Sequence, residues 1–134
     1  MALTTNEIVN VVKAVAADVQ TIEHHGDLTL VVKAADLLDV LHELKDNPNM
    51  AFDQLVDVTA IDWARPGDRF EVVYFLYSIR HKTRLRLKIG VREDAPHVPT
   101  AVDVYESANW YERETYDMYG IIFDGHPDLR RILT

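Results

Sequence analysis

Cysteine is absent from the 134 residues. The chain therefore forms no disulfide, and its own thiolates hold neither zinc nor an iron–sulfur cluster. Basic residues are in deficit, with 14 Lys and Arg against 22 Asp and Glu, for a net charge of −8. That balance argues against nucleic acid as the main partner, because phosphate binding runs on a surplus of Lys and Arg. It argues equally against direct docking on an anionic membrane. No apolar run approaches the ~20 residues that span a bilayer. The opening "MALTTNEIVN" lacks the basic segment and apolar core of a secretory signal. A glycine-rich phosphate loop, a G-x-S-x-G elbow, internal repeats and low-complexity segments are also missing.

At 48% apolar and 27% charged residues, what remains is an ordinary globular composition at a length suited to one domain. Thr4-x-x-Glu7 forms a capping box, and Ile8, Val11, Val12 and Val15 follow at helical spacing. Gly26-Asp27 marks a turn before a short strand through Leu28, Leu30 and Val32. Leu37, Val40, Leu41 and Leu44 give a second helix that "DNPN" stops. Strands are expected over Leu55 to Trp63 and over Phe70 to Ile79, the latter apolar on both faces like a central strand. "RLRLKIGV" alternates Leu85, Leu87, Ile89 and Val91 against Arg84, Arg86 and Lys88. "APHVPT" breaks the pattern, and a third helix is expected from Glu106-Ser107 to Tyr119, with Gly120 as its stop. The stretch from Ile121 shows no period. The order implies an α+β fold, a mixed or antiparallel sheet of about four to five strands with helices packed on it.

Candidate sites are few. His24 and His25 are neighbours whose side chains diverge on a strand, a poor chelating pair. Glu112 and Glu114 lie about 200° apart around a helix and cannot converge on one bond. Glu114 and Asp117 share a face, where Arg113 can ion-pair with Asp117. Asp124, His126 and Asp128 could line a metal loop, with Glu114 as a further ligand. Gly125 and Pro127 equally mark a tight turn in which His126 bonds the backbone. Arg84, Arg86, Lys88 and Arg92 form a basic stripe that suits a solvated sheet face, a sheet edge protected by charge, or an acidic partner. The two tryptophans, six tyrosines and paired arginines are interface-type residues. A docking module is thus favoured over an enzyme.

The stretch "ERETYDMYGIIFDGHPDLRRIL" resembles the signature of the C-type or 30 kDa subunit family of proton-translocating NADH–quinone oxidoreductase, respiratory complex I. Glu112, Arg113, Glu114, Asp117, Met118, Tyr119, His126, Arg130, Ile132 and Leu133 fill the pattern without a gap. "LVDVTAIDW" and "FEVVYFLYS" resemble the family's central strands. The resemblance implies a docking protein of the peripheral arm, packed on subunits D and B. It implies no catalytic or metal-binding residue here, and leaves FMN, iron–sulfur clusters and quinone to partner subunits. The implied location is the cytoplasmic face of a bacterial or archaeal inner membrane, with attachment through the complex. The docking role falls on Trp110, Glu112, Arg113, Glu114, Asp117, Met118, Tyr119, His126, Arg130 and Arg131. Family members continue into a tail along the D-type partner, so that tail is expected to be missing from a chain ending at Thr134. Membrane-bound hydrogenases, formate hydrogenlyase and F420H2- or ferredoxin-dependent complexes carry similar subunits and form the alternative.

Overall fold

A computed structural model describes residues 2–129. Helix α1 (Thr5–Lys13) begins at the expected capping box. The Glu7 amide donates to Thr4 Oγ1 at 3.2 Å, and the Thr4 amide donates to Glu7 Oε1 at 3.1 Å. Two otherwise orphaned donors at the helix start are thereby satisfied. Ile8 and Val12 are buried, whereas Val11 and Val15 are only half-buried at the margin of the stripe.

Strand β1 (Gln20–His24) and strand β2 (Asp27–Val31) form an antiparallel hairpin. Its turn is His25-Gly26, with φ of +52° and +83°. Two positive φ values in a two-residue loop match the twist of the flanking strands. The turn thus lies one residue earlier than Gly26-Asp27, and β1 is an addition to the expected elements. All of β1 is exposed, so no apolar alternation announces it. His24 and His25 pack their rings edge to face, with centroids 4.0 Å apart.

A 3-10 turn (Ala34–Asp36) leads into α2 (Leu37–Asp46), whose Leu37, Val40, Leu41 and Leu44 are buried at the expected spacing. Strands β3 (Gln54–Asp62), β4 (Phe70–Ser78) and β5 (Thr83–Val91) follow. The sheet is mixed and five-stranded, in the order β1-β2-β5-β4-β3. Only the β2–β5 pair is parallel, with Thr29, Leu30 and Val31 opposite Arg86, Leu87 and Lys88. Phe70, Val72, Tyr74 and Leu76 alternate inward from β4 and meet Leu85, Leu87, Ile89 and Val91 from β5. These positions join the apolar stripes of α1 and α2 in one core. Burying each such side chain contributes roughly 1.5–3 kcal/mol.

The other face of the sheet carries Arg84, Arg86 and Lys88 with Glu71, Phe75 and Tyr77 between them. A bulge between Leu55 and Asp57 in β3 leaves Val56 54% exposed beside it. Strand β5 is central, so its basic stripe belongs to a solvated sheet face and not to an edge. Arg86 and Arg84 share Asp27 at 3.3 and 4.0 Å, Lys88 approaches Glu71 at 3.9 Å, and Arg92 binds Asp94 at 3.0 Å.

A second, two-stranded parallel sheet joins β6 (His97–Pro99) to β7 (Ile122–Asp124). Both were invisible to period analysis, since three residues are too short for alternation. Between them runs α3 (Ala108–Tyr119), which starts two residues after Glu106 and packs chiefly on β3.

Candidate docking surface on the third helix

The two ends of α3 are fixed differently. Ser107, just before the helix, caps nothing. Its hydroxyl instead donates to the Leu55 carbonyl of β3 at 3.0 Å. At the other end Gly120 adopts φ +72° and its amide donates to Tyr116 O at 2.8 Å. That left-handed closure is the one a glycine adopts without strain.

Between these ends the 3.6-residue period sorts the side chains. Ala108, Glu112 and Thr115 are buried, flanked by half-buried Tyr111 and Tyr119. The Thr115 hydroxyl lies 3.2 Å from Val58 O and 2.9 Å from Tyr111 O, tying the helix to β3. Tyr119 meets Phe70 edge to face at 6.3 Å. Tyr111 and Tyr119 therefore lie on the core side of the helix, partly buried against the main cluster.

Glu112 is the main correction to the expected surface. Its side of the helix is opposite Trp110 and Glu114, and it is 0% exposed. Its carboxyl accepts from the Thr100 hydroxyl at 2.5 Å and from the Ala101 amide at 2.8 Å. Burial pushes the carboxyl up to about 7, against the downward pull of those two hydrogen bonds. Glu112 thus braces α3 against the turn that follows β6, away from the exposed side of the helix. Tyr74 lies close enough to feel its charge. Burial first, and the Glu112 charge second, hold the Tyr74 hydroxyl well above its ordinary value. That hydroxyl has no hydrogen-bond partner among the described residues.

The outer side carries Trp110, Arg113, Glu114, Asp117 and Met118. Trp110 is 50% and Met118 73% exposed, the latter the most exposed of the large apolar side chains described. Glu114 is exposed and Asp117 half-buried. The anticipated Arg113–Asp117 ion pair is not formed. The Arg113 guanidinium lies over the Trp110 ring, 5.8 Å from its centroid. Its Nε is buried without an acceptor among the described residues.

His126 closes the turn below the helix. Its Nε2 faces the Asn109 carbonyl at 3.0 Å, and its Nδ1 accepts from the Asp128 amide at 3.0 Å. These partners select the tautomer protonated on Nε2. Asp124 is taken up by His97 at 2.8 Å, a pair no motif had signalled. Among the described residues no three His, Asp or Glu side chains converge as a metal site, so Asp124, His126 and Glu114 are not brought together. Arg130 and Arg131 lie outside the described residues. Thr100, Tyr74 and Thr115 were missed by sequence reasoning. Thr100 and Ala101 stand eleven or twelve residues from Glu112, too far for a local rule to find the brace.

Residues 30–134 match the family described as respiratory-chain NADH dehydrogenase, 30 Kd subunit. The C-type subunit of NADH-quinone oxidoreductase from Methylobacterium radiotolerans is 52% identical over 109 residues, which cover 81% of this chain and 50% of that protein. The protein of the same name from Burkholderia multivorans is 52% identical over 116 residues, covering 81% of this chain and 58% of the relative. The chain spans about half the length of these curated relatives. Among solved structures, the trypsin-resistant fragment (1–134) of Nqo5 is 31% identical with a TM-score of 0.78, covering 92% of this chain and 98% of that one. A chain of the membrane-bound sulfane sulfur reductase, an archaeal respiratory membrane complex, is 26% identical with a TM-score of 0.82. The match covers 96% of this chain and 75% of that one.

Proposed function

The chain belongs to the family of the respiratory-chain NADH dehydrogenase 30 Kd subunit, and from that premise we propose that it is a docking subunit of an NADH–quinone oxidoreductase. Its work is to join and orient the peripheral arm of a complex that passes electrons from NADH to quinone and couples this to proton translocation. Subunits D and B are its partners, and the assembly sits on the cytoplasmic face of the membrane. FMN, iron–sulfur clusters and quinone belong to partner subunits. The chain itself offers no cysteine for a cluster, and no helix among its described residues is long and apolar enough to cross a membrane. In this reading attachment to the membrane runs through the complex.

The observation that carries this reading is the outer side of α3. A half-exposed Trp110, a largely exposed Met118 and an arginine without an ion-pair partner among the described residues stand on one short helix. Exposed apolar groups of that size beside an uncompensated charge mark protein contacts. The likeness to the sulfane sulfur reductase chain favours a second reading, the equivalent subunit of a related membrane complex with another electron donor or acceptor.

Gentle detergent extraction of native membranes, with this chain as the affinity handle, separates the two. Co-purification of D- and B-type subunits with flavin, cluster absorption and NADH oxidation supports the first. Co-purification of a hydrogenase- or sulfur-reducing module without NADH oxidation supports the second. A chain that emerges alone from intact membranes contradicts both.

A further inference from the structure

The open sheet face and the outer side of α3 differ in how their basic side chains are held. On the open sheet face Arg84 and Arg86 converge on Asp27, and Lys88 faces Glu71. Such pairs in water are worth little. On the outer side of α3, by contrast, neither Arg113 nor Glu114 forms a hydrogen bond or ion pair with another described residue, although they are adjacent in sequence. The helix explains why they do not neutralise each other. Neighbouring positions point about 100° apart, so the two charges stand on opposite flanks of the exposed stripe.

Arg113 is also held in place before any partner arrives. Its guanidinium rests on Trp110 and its Nε is buried without an acceptor among the described residues. A packed arginine has already lost much of its rotamer freedom, so an incoming carboxylate meets a fixed fork of donors. Trp110 and Met118 bracket the two ions along the axis, about 12 Å apart at 1.5 Å per residue.

We propose that this stripe recognises one protein subunit by ionic order. The partner presents a carboxylate to Arg113 on one flank and a basic side chain to Glu114 on the other, with apolar pockets for Trp110 and Met118. The inference rests on the docking reading above and deepens it, because it states what the partner's surface must carry. Buried ion pairs at an interface fix register and reject wrong partners more than they add affinity. Reversed charges should therefore block assembly even where the apolar anchors are intact.

The test exchanges the two ions. Arg113→Glu combined with Glu114→Arg keeps composition and net charge but reverses their order. The full-length protein replaces the native copy in its own cells, and the assembled fraction is read by native electrophoresis. Thermal melting of the purified full-length protein checks the fold. The exchange should lower the assembled fraction about tenfold or more, and Trp110→Ala and Met118→Ala should each lower it as well, with melting unchanged. Normal assembly of the exchange beside impaired Trp110→Ala would overturn the ionic order and leave the docking reading standing. Normal assembly of all three would remove the docking reading itself. Should the exchange melt early, Arg113→Gln with Glu114→Gln carries the test, since it removes both ions without reversing them. A tenfold loss with that pair supports the proposal, and normal assembly sinks it.

Discussion

Glu112 and Glu114 are the same residue type, two positions apart on one helix, and they live in opposite surroundings. Glu112 is sealed in the interior with two donors aimed at it. Glu114 stands in water with no partner among the described residues. Angle alone separates them, since about 200° of helix rotation lies between. One short element thus holds the domain together on one side and faces outward on the other. A motif that reads as a single block of charge splits into a buried side and an exposed side at helical period.

The sharpest way to test that division is to remove each acid in turn. At pH 5 Glu112→Ala should lower unfolding free energy by about 4 kcal/mol, because it strands the Thr100 hydroxyl and the Ala101 amide and opens a cavity. Glu114→Ala should change it by no more than about 0.5 kcal/mol. Urea titrations of both variants decide the matter, and equal losses would erase the contrast.

Acidity offers the next largest effect. The Glu112 carboxyl stands at about 7 in the folded chain against an ordinary 4.5. Folding therefore favours its protonated form. The stability from this group is fully present below about pH 4.5 and is lost as pH rises through 7, a fall of about 3 kcal/mol. Glu112→Gln, which has no charge to bury, should flatten that fall. Urea midpoints at pH 5 and pH 8 for the two proteins would show it, and parallel curves would place the pH sensitivity elsewhere.

Smaller effects probe how well the inner side is satisfied. Thr115→Val should cost about 1 kcal/mol by removing the hydroxyl that reaches Val58 O. Tyr74→Phe should be the mildest change. It deletes a buried hydroxyl that has no partner among the described residues. Stability should stay level or rise by about 0.5 kcal/mol. A loss above about 1 kcal/mol on thermal melting would mean that this hydroxyl is bonded after all.

Much of this fold was legible because its signals are local. The Thr4–Glu7 box, the i, i+3, i+4, i+7 pattern of α2, the alternation of β5 and the Gly120 stop are each decided within one or two turns of chain. Strand β1 escaped because all five of its residues face solvent at a sheet edge, where pairing rather than burial makes the strand. Strands β6 and β7 escaped because they depend on each other across α3. Helix α3 was visible, and the divergence of its two glutamates followed from rotation alone. The brace was not, because Tyr74, Thr100 and Thr115 owe their roles to tertiary contacts with no sequence period.

The parallel joint between β2 and β5 also orders events in time. An isolated hairpin such as β1–β2 is marginal in water, and its other neighbour in the sheet is β5, which follows α2, β3 and β4 in the chain. Even the start of α1 is secured from there, by the Leu3 amide on Thr83 Oγ1 at 3.0 Å. A ribosome must therefore extrude residues through β5 before the first strands can be locked in place. Until then the N-terminal third waits, its apolar stripe uncovered and open to chaperones.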